Sequence, residues 1–155
     1  MNTRAHCFEF RIGVEGEAAA AAALHRTRHD MIRLKAAMSD LEAHHKAGDY
    51  SFEMDFAFHL AVAQAAHNPY FPRSLETLRP VIRQGMLLAI SPSGLAPEQK
   101  GAAIREQHRD IYRGIVRGDD TGARLAMRRH LLRCHQSTMH WDGAEVETGL
   151  EEQGY

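Results

Sequence analysis

The chain has 155 residues, 44% of them hydrophobic, with 19 Lys and Arg against 20 Asp and Glu and a formal net charge of −1. That length suits one domain with a single core, and so even a charge balance gives no basic surface able to hold nucleic acid by itself. No apolar run approaches the ~20 residues that span a bilayer, Cys7 and Cys134 lack CxxC spacing, and nothing at the start reads as a secretory leader, so a reducing cytoplasm is the expected compartment.

Breaks are few, and the intervals between them fit helices. The first runs from about His6 to Arg26 through EGEAAAAAALHR, whose alanines are the strongest intrinsic helix signal in the chain. Thr27 and Asp30 form a TxxD start for a second helix, and Gly48 stands where a glycine cap would end it. Asp49 or Ser51 caps a third, which Asn68-Pro69 stops, and a fourth covers about Tyr70 to Ile90 with Pro72 and Pro80 inside it as candidate kinks. SPSGLAP is the clearest loop. Pro97 and Glu98 open a fifth helix to Arg117, Gly118-Asp119 reads as stop and restart, and a sixth helix runs from about Asp120 to His140. Residues 141–155 are acidic and aperiodic, as expected of a flexible tail.

Three stripes carry unexpected chemistry. Asp55, His59, Val62 and Ala66 stand at offsets 0, 4, 7 and 11, one face of the third helix, so Asp55 and His59 point inward together. Ile104, His108, Ile111 and Ile115 repeat the spacing on the fifth helix, and Ala123, Met127, His130 and Cys134 repeat it on the sixth. A lone histidine on an apolar face is ordinarily a core residue bonded to a backbone carbonyl. An inward carboxylate is different, because a buried charge costs several kcal/mol unless it is paired or bound to a cation. One Asp and three His offer three imidazole nitrogens and a carboxylate oxygen, a set that suits Zn, Ni, Mn or Fe and leaves coordination positions free.

The same residues carry a family likeness. EFRIGVE (9–15) is similar to an ExRxxxE helix opening, DFAFHLAVAQAAHNPYF (55–71) to DxxFHxxLAxAAxNPxL, and REQHRDIYRGIVRGDDTGARLAMRRHL (105–131) to EHxxIxxAIxxGDxxxAxxAMxxHL. These are the marks of the FCD ligand-binding domain, which stands C-terminal to a winged-helix DNA-binding domain in GntR-family transcription regulators, and the chain resembles its metal-binding subset.

The resemblance implies an antiparallel bundle of six or seven helices around a central cavity, formed by residues 1–140. It implies that Asp55, His59, His108 and His130 hold a divalent transition metal, zinc first among Zn, Ni, Mn and Fe. It also implies that a small carboxylic acid completes the coordination sphere, with Arg11 as carboxylate clamp and Asn68 of the Asn-Pro turn as a ligand contact, and that the domain is a homodimer. DNA would be reached only through a winged-helix domain, which this sequence is expected to lack because it begins just before the first helix of the pattern. Two other classes compete: a metal-dependent hydrolase-like enzyme, which would need a general base, and a purely structural dimerisation bundle. No HExxH, paired ExxH or nucleophile elbow supports an enzyme. Of the other histidines, His25, His29, His44 and His45 read as solvated, and His135 and His140 as partners of the last helix's carbonyls.

Overall fold

The computed structural model describes residues 3–89 and 97–148, and all regular structure within them is helical. The helices are α1 (Thr3–His25), α2 (Arg28–Lys46), α3 (Phe52–Ala65), α4 (Tyr70–Ala89), α5 (Pro97–Arg117) and α6 (Asp120–Thr148), the all-α architecture expected. Among the described residues no helix is long and apolar enough to cross a membrane. The SPSGLAP loop, apart from Pro97, lies outside the described residues, as does the tail from residue 149. α6 continues past His140 to Thr148. Ala144, Glu145 and Glu147 favour helix there, and Gly143 costs only about 1 kcal/mol against alanine.

Local chemistry sets the helix ends. Thr27 and Asp30 form a full capping box: the Asp30 N–H donates to Thr27 Oγ1 at 3.2 Å, and the Thr27 N–H donates to Asp30 Oδ2 at 2.8 Å. Asp30 also accepts from Arg33 Nη2 at 2.7 Å and from His67 Nε2 at 2.5 Å, which ties the start of α2 to the turn after α3. Gly118 closes α5 with φ +70°, its N–H on the Ile115 carbonyl and that of Asp119 on the Gly114 carbonyl, a paired bond pattern that requires a left-handed residue. Gly48 ends α2 in the same way. Ser51 occupies the N-cap of α3 without a side-chain bond, and Asp49 instead pairs with His44 Nδ1 at 2.8 Å. α4 runs through both of its prolines. Pro72 falls in the first turn, where a backbone N–H has no helical partner to lose.

Two apolar clusters share α3. Phe58, Val62 and Ala65 pack with Leu34, Ile111 and Met127, whereas Phe56 and Ala63 pack with Leu75 and Ile82. α3 is thus buried on opposite sides, so no continuous polar face is left on it. The most extensive helix pair is α1 with α6. Its contact is lined by Ala19, Ala22 and Ala23 of α1 against Ala123, Ala126 and Met127. Beside it, Glu17 accepts from Arg124 Nε at 2.8 Å and Arg128 Nη2 at 2.9 Å, and Arg128 lies across Gly16, where a Cβ would stand 2.9 Å from its Cγ. Gly114 lets α5 meet α6, because a Cβ there would stand 2.8 Å from the Ala123 nitrogen.

Two stability changes are expected. Gly114→Ala sets a helix-propensity gain of about 1 kcal/mol against a clash with backbone that has no rotamer to change, and overpacking of that kind costs about 1–3 kcal/mol. Urea unfolding should show a net loss. Asp30→Asn should lose about 2 kcal/mol, from the weakened cap and the bonds to a charged acceptor. Burial raises the Asp30 carboxyl, but the Thr27 N–H, Arg33 and His67 outweigh it and hold it well below the ordinary value. A folded-state pKa below the unfolded one gives stability that is complete above the unfolded value of about 4 and fades as pH falls beneath it. The gap between wild type and Asp30→Asn should therefore narrow below pH ~4 in thermal melts.

Candidate functional site

Asp55 and His59 on α3, His108 on α5 and His130 on α6 converge, each offering one donor atom within 4.8 Å of the others. The three imidazoles are fully buried, and only Asp55 keeps some exposure, at 15% of its side chain. The ring centroids of His108 and His130 are 4.3 Å apart, with His59 at 5.6 Å from His108 and 5.2 Å from His130. The helical stripes bring these four together because each lies on the buried side of its own helix.

Every imidazole is oriented through its Nδ1. His108 donates Nδ1–H to the Ile104 carbonyl at 2.8 Å, His130 to Gln107 Oε1 at 3.0 Å, and His59 to Glu15 Oε2. A neutral imidazole has one N–H, so these bonds leave three Nε2 lone pairs in the centre. Nε2 of His59 and of His108 are buried without a hydrogen-bond partner. His108 Nε2 stands 3.0 Å from Asp55 Oδ1, and His59 Nε2 3.8 Å from Asp55 Oδ2. Lone pairs facing a carboxylate repel unless a cation stands among them. A single proton shared by His108 and Asp55 would relieve one contact and leave His59 Nε2 orphaned. A metal ion meets all four groups at once, so the residues present fit one, and imidazoles held by acceptors behind them are the usual support of such ligands.

Burial pushes the Asp55 carboxyl up, but His59 and His108 outweigh it and hold it well below the carboxylate range. Glu15 is buried too, yet Arg11 and His59 bring it down to about 2. For His59, burial favours the neutral form, and Glu15 and Asp55 on either side reverse that and raise its pKa. His130 is driven well below the ordinary value by burial, then by His108 and His59. Cys134, with Sγ 4.0 Å from His130 Nδ1, is pushed up to about 12 by burial and Asp55 and remains a thiol.

Arg11 is buried on α1, with Nε on Glu15 Oε1 at 2.5 Å. It reaches the centre through Glu15 and His59, and Asp55 is near enough to raise its pKa further. Asn68 is not brought to the centre. It is exposed between α3 and α4, and its Oδ1 accepts the Tyr70 N–H at 3.1 Å, a helix-starting contact.

Glu15 and Gln107 received no role from the sequence. Glu15 lies one turn beyond Arg11 on the same face of α1, a spacing that could have marked it. Gln107 meets His130 across two helices, and no spacing within one helix reports such a contact. His45 also differs from expectation: rather than solvated, it is 4% exposed and, by burial and then by His108, depressed to about 4. Leu34, Met38, Leu41 and His45 follow the same 0, 4, 7, 11 stripe, all buried, and charged neighbours hid it.

Comparison with known proteins identifies the family of the chain. The chain is 27% identical over 123 residues to the HTH-type transcriptional regulator LutR of Bacillus subtilis (strain 168), covering 79% of this chain and 56% of that protein. It is 30% identical over 94 residues to the putative L-lactate dehydrogenase operon regulatory protein of Escherichia coli (strain K12), covering 61% of this chain and 36% of that protein. The chain thus spans about half or less of the length of these relatives, which are named as regulators and not as enzymes. The solved Streptococcus agalactiae GntR shares the fold at a TM-score of 0.67 and 24% identity, covering 86% of this chain and 58% of that one. Residues 6–133 match the FCD domain, and the chain belongs to that family.

Proposed function

We propose that this chain is the effector-sensing domain of a GntR-type transcription regulator, in which a divalent transition metal on Asp55, His59, His108 and His130 recruits a small carboxylic acid. The observation that carries the reading is the convergence of three Nε2 lone pairs and one carboxylate, with two of those nitrogens buried and unpartnered. Three nitrogens and one oxygen suit zinc first, then Ni, Fe or Mn. When bound, the ion would act as a Lewis acid whose remaining coordination positions accept a carboxylate oxygen.

The protein's own groups divide the remaining work. Glu15, Ile104 and Gln107 hold the imidazoles in the tautomer that presents Nε2. Arg11 keeps Glu15 ionised by its buried positive charge, and it donates to Glu15 through Nε alone, which leaves the fork of its guanidinium for an incoming carboxylate. A hydrolytic reading gets no base from Glu15, the carboxylate behind His59, because it is engaged on both oxygens by Arg11 and His59. One relative is named for an L-lactate dehydrogenase operon, so L-lactate heads the acids to test. In the intact regulator, a homodimer in the cytoplasm, acid binding would shift the population of domain arrangements and so the spacing of the winged-helix domains that read DNA.

Elemental analysis of purified protein should find close to one equivalent of a divalent transition metal, and Asp55→Ala and His130→Ala should lose it. Retention of the metal by both variants, or none in wild type after incubation with Zn, Ni or Mn, defeats the reading. Glu15→Gln should weaken zinc binding by roughly 10–100-fold in competition with a chelator, as loss of a partner behind a histidine ligand does. Unchanged affinity would reduce Glu15 to a packing role.

A further inference from the structure

The four-residue centre is closed on one side by the core. Towards the far end of the bundle, Val62 and Ala65 of α3, Ile111 and Ile115 of α5, and Ala123 and Met127 of α6 are all buried in one apolar cluster. The near end differs. Of the four donors only Asp55 keeps some exposure, 15% of its side chain, and it stands in the first turn of α3.

The chain that leads into that turn is the connection from α2, residues 47–51. Gly48 opens it with φ +76° and empty space where a Cβ would stand, and Ser51 closes it as an N-cap that makes no side-chain bond. Two contacts hold what lies between. Asp49 pairs with His44 at the surface, a kind of bond that contributes little. The Tyr50 ring packs on His45 at 5.3 Å between centroids, and its hydroxyl lies against Gly101 of α5, where a Cβ would collide with that hydroxyl and stand 3.2 Å from Cζ. A glycine inside a helix weakens the helix, and the seat of Tyr50 is what this one makes room for. Gly101 is seven residues before His108, two turns along the same face of α5.

We propose that residues 47–51 are a strap across the entrance to the centre, with Tyr50 as its catch in the Gly101 notch, and that release of the catch sets how fast a metal ion enters and leaves. This rests on the metal reading above. Lifting the strap needs rotation at Gly48 and the loss of Tyr50's seat, and it leaves the apolar cluster behind the centre untouched. A catch of this kind acts on rates alone: both directions pass the same barrier, so its removal speeds uptake and release together.

Zinc-loaded protein mixed with excess chelator in a stopped-flow instrument gives the release rate. Gly101→Ala, which evicts the Tyr50 ring while favouring helix in α5, and Tyr50→Ala should each release zinc about tenfold faster than wild type, the change in rate that loss of one aromatic contact from the closed state brings. Competition titration should find the equilibrium affinity of both unchanged. If Tyr50→Ala does not fold, Gly101→Ala is read alone. Release at the wild-type rate overturns the strap. So does a fall in affinity that matches the faster release, which would make Tyr50 a support for Asp55 instead of a catch. If wild type binds no zinc, the metal reading itself falls and the strap with it.

Discussion

A carboxylate placed among three imidazoles in a protein interior needs positive charge, and the rest of this molecule is arranged around that need. Asp55 sits at the meeting of three helices with His59 and His108 within 4 Å. Removing an ion from water costs several kcal/mol after relaxation, comparable with what one or two well-buried core side chains return. The site is therefore a sizeable local expense in a fold whose net stability is small. That expense is intelligible if a cation, rather than the apo fold, is what the four residues are built to satisfy.

The surrounding structure keeps the four residues in register. Each imidazole is anchored behind by an acceptor from α1 or α5, so the centre is assembled across α1, α3, α5 and α6. Arg11 and Glu15 form a buried ion pair that would be hard to justify as a stabilising device, since such pairs often do no better than hydrophobic replacements. Its use is orientation: Glu15 is ionised because Arg11 is beside it, and an ionised Glu15 fixes the His59 tautomer.

Much of this was legible in the chain. Helix number and most boundaries follow from caps whose chemistry is local, such as Thr27 with Asp30 and the glycines at 48 and 118. The four converging residues follow from 0, 4, 7, 11 stripes, because a buried helical face repeats at that interval whatever it packs against. The partners behind them do not follow. Gln107 on His130 and Glu15 on His59 depend on how helices dock, which no single-helix period encodes. His45 was obscured for a related reason: Lys46 and Asp49 near it are exposed and His44 is half-buried, and local polarity outweighed the stripe it belongs to. Asn68 is ambiguous in kind, since one side chain can start a helix or meet a ligand, and the bond its Oδ1 makes is to the Tyr70 N–H at the start of α4.

The alanine contact between α1 and α6 has a mechanical consequence. Large interlocking side chains would key two helices together at one axial position, whereas alanines present a shallow, nearly smooth track. On this track Arg128 is seated in the notch over Gly16 and joined with Arg124 to Glu17, two residues from Glu15. These charges are at the surface, where dissolved ions weaken them. Part of what sets α1 along α6 is thus a detent that ionic strength can loosen, while the buried bonds of Glu15 to Arg11 and His59 and the hydrophobic interior remain intact.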